Sequence, residues 1–306
     1  MKYLRLYLPM TVLFLTFIFI AGCKKNDNVV NTNNNNTLTP ADVSSTTDAA
    51  YAVSANLAID NGGSMEDMSD VLNTATVDGI RGGDITGMLH FGNSHSDVTK
   101  SYDSLSGWWI ITVARHRGTV NGLYYADYSR VYKFQYLNMN GSFQKFYISN
   151  MDTAVTANYQ IVSGAGILNT PKVSHQLTSL SAAWTVAGIN TRTVTINSTE
   201  PYVRAVSDTM TRNNSVRTLN GTLTLNFTNV VGPRGCPLNW HRAVSGTIDG
   251  TYHAVVTFQK GTTYKDSTID KTIHIVFGKH SDPQLAEVDV NNTVYYVDLE
   301  TGDVTQ

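Results

Sequence analysis

Ser245-Gly246-Thr247-Ile248-Asp249-Gly250-Thr251-Tyr252-His253-Ala254-Val255-Val256-Thr257-Phe258 alternates with period two. Val244, Gly246, Ile248, Gly250, Tyr252, Ala254, Val256 and Phe258 fall on one face, and mostly polar residues on the other. That is the pattern of a half-buried antiparallel strand. Asp249-Gly250 is also a hairpin-turn dipeptide. A turn there would pair Ile248 with Thr251 and scramble both faces, so the pattern predicts one strand, roughly 50 Å long at ~3.3 Å per residue. Gly246 and Gly250 on the inner face would let it bend, as strands do in curled sheets.

Working outward, Leu223, Leu225 and Phe227 alternate with Thr222, Thr224, Asn226 and Thr228, and Ile269, Ile273, Ile275 and Phe277 mark another strand. A last hairpin is predicted to turn at Asn291-Asn292, pairing Val288 with Tyr295 and Ala286 with Val297. Upstream, the period is already two from Gly107. Trp109, Ile111 and Val113 share a face, as do Tyr132, Phe134 and Tyr136. Asn140-Gly141, read as a two-residue turn, pairs Phe134 with Tyr147 and Gln135 with Phe146. Val131, Leu137 and Ile148 make the opposite face of that pair apolar too, so it should be covered twice or line a pocket. Trp108, Trp109, Tyr132, Phe134, Tyr136 and Tyr147 are therefore candidate ligand-facing aromatics.

These signals give about 12 strands joined by short turns. The expected fold is mainly β, a large antiparallel curled sheet, open barrel or sandwich. One or two short helices precede it. Asp48 can cap a run through Ile59, stopped by Asn61-Gly62-Gly63. Ser64-Met65-Glu66-Asp67 has the form of a capping box, opening a second helix to about Asn73. A membrane-spanning barrel would need apolar outer faces, and the Thr- and Asn-rich faces of 222–228 and 245–259 are too polar for that.

The N-terminus is of another kind. Lys2 and Arg5 precede an apolar run from Leu6 to Ile20, and Ile20-Ala21-Gly22-Cys23 closes it. A membrane span needs ~20 apolar residues, and this run is shorter, as in a cleaved secretory signal. The four residues resemble the lipobox of bacterial lipoproteins. The resemblance implies cleavage before Cys23, acylation of Cys23 and a membrane partner held through the acylated N-terminus. Lys24 in place of Asp implies sorting to the outer membrane. Lys24, Lys25 and Asp27 resemble a surface-export signal interrupted by Asn26, which leaves the periplasmic and exposed faces both open. Residues 24–44, rich in Asn and Thr, show no apolar periodicity and read as a disordered tether reaching roughly 25 Å. The expected organisation is signal 1–22, lipidated Cys and tether 23–44, helices and loops 45–106, and β domain 107–306.

Chemistry is harder to find. Charged residues are 15% of the chain and the net charge is −2, which gives no basic patch for nucleic acid. With Cys23 acylated, Cys236 has no intramolecular disulfide partner and is expected to be a small buried hydrophobe. No hydrolase, nucleotide-binding or metalloprotease motif occurs, so no catalytic residue, metal or cofactor is assigned. His90 and His95, with Asp97, have no metal-site spacing and read as a polar loop. His253 and His274 sit on polar strand faces and could meet only if their strands were neighbours. Trp108, Trp109, Trp184 and Trp240 could stack on sugar rings, though Trp in a β protein is more often core. Asp103-Ser104-Leu105, Asp152-Thr153-Ala154, Asp208-Thr209-Met210 and Asp266-Ser267-Thr268 resemble bacterial O-glycosylation acceptors, which implies Ser104, Thr153, Thr209 and Ser267 as candidates on exposed loops.

Three functions follow as expectations. The first is a non-catalytic binding or assembly domain at the outer membrane, with a glycan, an apolar ligand or another envelope protein as partner. The second is a carrier of apolar ligands, since short helices before a curled sheet resemble, by element order alone, the periplasmic lipoprotein carrier and its anchored receptor. The third is an enzyme acting on polysaccharide through paired carboxylates.

Overall fold

The computed structural model describes residues 45–58, 62–68, 95–119, 125–149, 152–169, 173–212, 215–233 and 243–305. Cys23, the tether, His90, the end of the second helix, Cys236 and Trp240 lie outside them. No described helix is long and apolar enough to cross a membrane.

The predicted long strand is β11 (Ser245–Lys260). It pairs with β10 (Ser215–Pro233) through Phe227↔Ile248, Leu223↔Tyr252 and Leu219↔Val256, so the two alternating patterns bury the same face. On its other side β12 (Thr263–Val276) sets Ile275 against Ile248 and Ile269 against Ala254. Glycine is required in β11. Gly246 has φ of +107°, and a Cβ at Gly250 would overlap the Thr224 carbonyl. The pairing of β10 slips on both sides around Asn229, and such bulges bend a strand.

In chain order the other strands are β1 (His95–Asp103), β2 (Trp108–Gly118), β3 (Tyr125–Leu137), β4 (Phe143–Gln144), β5 (Ile148–Ser149), β6 (Asp152–Thr153), β7 (Thr156–Asn169), β8 (Val173–Ala187), β9 (Thr193–Arg212), β13 (Leu285–Val290), β14 (Thr293–Asp298) and β15 (Val304–Thr305). Apart from the excursion through β4, β5 and β6, each strand pairs with its sequence neighbours in one 13-stranded antiparallel sheet, which is not closed. Laid flat, the 12 strands that lie side by side would be roughly 50 Å wide. The helix α1 (Ser45–Leu57) is only about 20 Å long. Yet inner-face residues from β2 to β14 join one buried cluster. The sheet therefore curls, so that its own strands cover one another. From α1, Ala49, Ala50, Val53 and Leu57 enter that cluster, and the helix lies against β12 to β15.

The Asn291-Asn292 hairpin pairs as expected, Val288 with Tyr295 and Ala286 with Val297, and both Asn have positive φ, 49° and 67°. The Asn140 hairpin differs. Its turn is one residue longer, with Gly141 N–H donating to the Asn138 carbonyl and Gly141 at φ 76°. Asn138 Oδ1 accepts from the N–H groups of both Asn140 and Ser142, which fixes the longer turn. Tyr136 consequently faces Gln144, and Leu137 faces Phe143. Gln144 Nε2 then donates to the carbonyls of Phe146 and Tyr147 and draws that backbone off the sheet. Phe134 instead pairs with Trp109 on β2 and Tyr159 on β7. Nor is β3 apolar on both faces. Tyr132, Phe134 and Tyr136 are buried, whereas Val131 and Leu137 are half-buried and Ile148 is exposed.

The sheet also begins before Gly107. β1 carries only Val98 and Tyr102 as large apolar side chains amid Asp97, Lys100 and Asp103. It is an edge strand, and charges on an edge discourage pairing with other chains.

Candidate functional site

Three arginines occupy inner-face positions where the strand pattern calls for apolar side chains. Arg115 follows Trp109, Ile111 and Val113 on β2. Arg130 lies between Tyr128 and Tyr132 on β3, and Arg204 between Tyr202 and Val206 on β9. All three are buried, Arg204 completely. Such cations need partners, because an unpaired buried charge costs several kcal/mol.

The helical segment 64–68 supplies them. The residues 62–68 are all buried. Glu66 Oε1 meets Arg115 Nη1 at 2.6 Å, and Asp67 Oδ1 meets Arg130 Nε at 3.1 Å. Tyr202 donates its hydroxyl to Asp67 Oδ2 at 3.1 Å, and Tyr132 to Oδ1 at 3.4 Å. The Gly62 carbonyl accepts from Arg204 Nη1 at 2.5 Å and from Arg130 Nη2 at 3.3 Å. Burial pushes the Asp67 carboxyl above its usual range, and Arg130 and Arg204 oppose that rise. Burial acts to discharge Arg130, but Asp67 and the neighbouring phenols outweigh it and hold the guanidinium charged. Burial, then Asp67, raises the Tyr202 hydroxyl, which therefore stays a donor.

Next to Arg204 lies a second buried pair. His175 Nδ1 is 2.5 Å from Asp208 Oδ1, and Nε2 is 3.2 Å from Arg204 Nη2. A guanidinium only donates, so Nε2 accepts and Nδ1–H donates to Asp208. Both ring nitrogens are thus engaged, and His175 has none to offer a substrate. Chemically, the cluster clamps 62–68 to the sheet. Its carboxylates are each held by an arginine, not arranged as the free pair that glycosidic work needs.

The sequence reading missed this cluster. Glu66 and Asp67 fit a helix cap, and the helix does begin at Ser64, but both side chains point into the sheet. A detectable signal existed, namely an arginine at apolar parity in three separate strands.

Of the expected ligand-facing aromatics, all but Trp108 belong to the buried core. Trp109, Tyr132, Phe134, Tyr136 and Tyr147 are buried, and Trp108 is half-buried. Phe134 meets Tyr136 edge-on at 4.6 Å, and Tyr132 tilts on Tyr159 at 5.4 Å. Trp184 is also core. The strands of His253 and His274 are neighbours, but each histidine meets an aspartate directly opposite, His253 with Asp270 and His274 with Asp249, at 2.6 Å. These pairs are exposed and contribute little to stability. Among the described residues no group of three or more His, Cys, Asp and Glu could hold a metal ion.

Of the glycosylation candidates, Ser104 is exposed in the β1–β2 turn and Thr153 on β6. Thr209 lies within β9 between Ser174 and Thr218. Ser267 is exposed on β12, where only β11 lies beside it. The Ser104 turn is shaped by Asp103, whose oxygens accept from Ser106 Oγ and from the Leu105 N–H. Those bonds hold its carboxyl below the usual range. A depressed carboxyl stabilises the fold above its unfolded pKa and loses that contribution as pH falls through the folded value. Asp103→Asn is therefore expected to be less stable than the parent at pH 7 and indistinguishable from it in urea melts near pH 2. An equal deficit at both would show that the charge is irrelevant.

No family model, no curated protein and no solved structure matches this chain.

Proposed function

We propose that this chain is an outer-membrane lipoprotein that displays a non-catalytic binding or assembly domain on a short tether. The anchor rests on Ile20-Ala21-Gly22-Cys23 after its apolar run. The reading of the domain rests on one observation above the rest. The buried charged groups of the inner face engage each other, with Glu66, Asp67 and His175 all committed to partners within the fold. They serve the architecture, and the open-edged sheet offers area for contact.

The test is fractionation with acyl labelling. The parent chain is expected to incorporate labelled fatty acid and to sediment with membranes. Cys23→Ser is expected to lose the label and become soluble with its thermal unfolding unchanged. A Cys23→Ser chain that stayed with the membrane would sink the proposal and point to a spanning segment.

A further inference from the structure

The excursion through β4 and β5 lays a lysine across the rim of the inner face. Trp109 Nε1 donates to the Lys145 carbonyl at 2.7 Å, which fixes this segment over β2. The Lys145 ammonium then lies over three rings, 5.2 Å from the centre of Tyr102, 5.3 Å from Phe146 and 5.8 Å from Trp109. The rings form walls rather than a stack. Tyr102 tilts 46° from Trp109 with centroids 5.0 Å apart, and Phe146 tilts 45° from Trp109 at 6.1 Å. Trp109 is 8% exposed, and Tyr102 and Phe146 are half-buried.

This cage holds a cation by ring faces alone. Among the described residues the Lys145 ammonium has no carboxylate partner. Asp103, next to Tyr102 in β1, has the opposite strand parity and accepts from Ser106 and Leu105. The cage is also wide for a bare ammonium. Close contact needs roughly 3.5–4 Å, whereas a methyl group on the nitrogen adds ~1.5 Å and fills the distances observed. Hydration favours the same exchange. A primary ammonium is strongly hydrated, whereas a quaternary one has no N–H to solvate and is well served by ring faces. Lys145 is exposed, so its side chain is free to leave.

We propose that this cage binds a small quaternary ammonium compound of the choline type, with Lys145 as its internal competitor. The ligand nitrogen takes the place of Lys145 Nζ, its methyl groups meet Tyr102, Trp109 and Phe146, and Lys145 swings into solvent. Lys100, two residues along the same face of β1, has a buried Nζ. One cation replaces another, so the charge that Lys100 faces is unchanged. This rests on the reading of the domain as a binding module and gives that module a ligand class.

Titration of the choline methyl resonance against the full chain carrying Cys23→Ser tests it. If the anchoring proposal fails, this protein sediments with membranes before any ligand is added, so the two failures are separable. Adding Lys145→Ala is expected to tighten choline binding about tenfold, because it removes the competing ammonium. The uncharged isostere dimethylbutanol, in which carbon replaces the nitrogen, is expected to bind that variant about tenfold more weakly than choline does. In the same background Tyr102→Leu and Phe146→Leu each replace one wall by an apolar side chain without a ring face. Each is expected to weaken choline about fivefold, and the pair keeps the test decisive should one of them fail to fold. No choline binding to Lys145→Ala, equal affinity with and without Lys145, equal binding of the isostere, or choline binding insensitive to both ring variants would each overturn the proposal.

Discussion

Arg130→Met is expected to lower the unfolding free energy of the domain by about 3–5 kcal/mol, the cost of leaving one member of a buried ion pair alone. Methionine keeps the aliphatic volume, so the loss reports charge rather than packing. Asp67 would retain the hydroxyls of Tyr202 and Tyr132 but lose its closest cation, and the Gly62 carbonyl would lose one of its two arginine donors. The pH dependence has a definite sign. With Arg130 gone, burial raises the Asp67 carboxyl with less opposition, and a raised carboxyl favours the folded state below its pKa and penalises it above. The deficit of Arg130→Met should therefore be smaller at pH 4 than at pH 8 in urea titrations. The double variant Arg130→Met with Asp67→Leu should recover part of the loss, because it removes the orphaned charge. A single-variant loss under about 1 kcal/mol, typical of exposed pairs, would mean that water reaches the cluster.

The same cluster marks the boundary of what the sequence reveals. Strands 222–228 and 245–259 were legible because one face is apolar and the other is Thr-rich, so period and register agree. The Asn291-Asn292 turn was legible because two adjacent residues that tolerate positive φ leave one natural pairing. The Asn140 hairpin was not. Its register depends on the Asn138 side chain bonding to two backbone N–H groups, a choice among turns that dipeptide signals do not resolve. β1 was hidden because an edge strand need bury little, and its charges mask the period. The parity of the arginines was visible, but their burial was not, for a different reason. Burying a cation depends on a counter-charge delivered from elsewhere in the chain, here 49 residues away for Arg115 and 63 for Arg130. Periodicity within a strand carries no information about such a partner. The aromatic face was placed on a common side, but alternation tells which residues share a face and not what covers it.

Trp184→Ala is expected to destabilise the domain by about 3–5 kcal/mol, the range for deleting a large buried aromatic. Trp184 is 1% exposed. It lies between Tyr159 at 5.9 Å and Tyr202 at 6.0 Å, nearly parallel to both at 13° and 7°, and Phe227 meets it edge-on at 5.3 Å. The ring therefore joins β7, β8, β9 and β10 at the middle of the curl, and neighbours on a paired sheet cannot collapse into the space it leaves. Tyr202 would also lose the stacking that holds its hydroxyl on Asp67, so part of the effect should pass to the ion cluster. A double-mutant cycle with Arg130→Met should then show coupling, the two losses summing to more than the double variant loses. Trp184→Phe separates ring from donor. The indole Nε1 has no hydrogen-bond partner among the described residues, and a buried unpaired donor costs about 1–3 kcal/mol. Phenylalanine removes that donor and keeps a stacking face, so its net loss should be well below that of alanine. If Trp184→Phe proved as damaging as Trp184→Ala, the indole N–H would have to be bonded in the folded protein, and the stacked rings would not be the source of the stability.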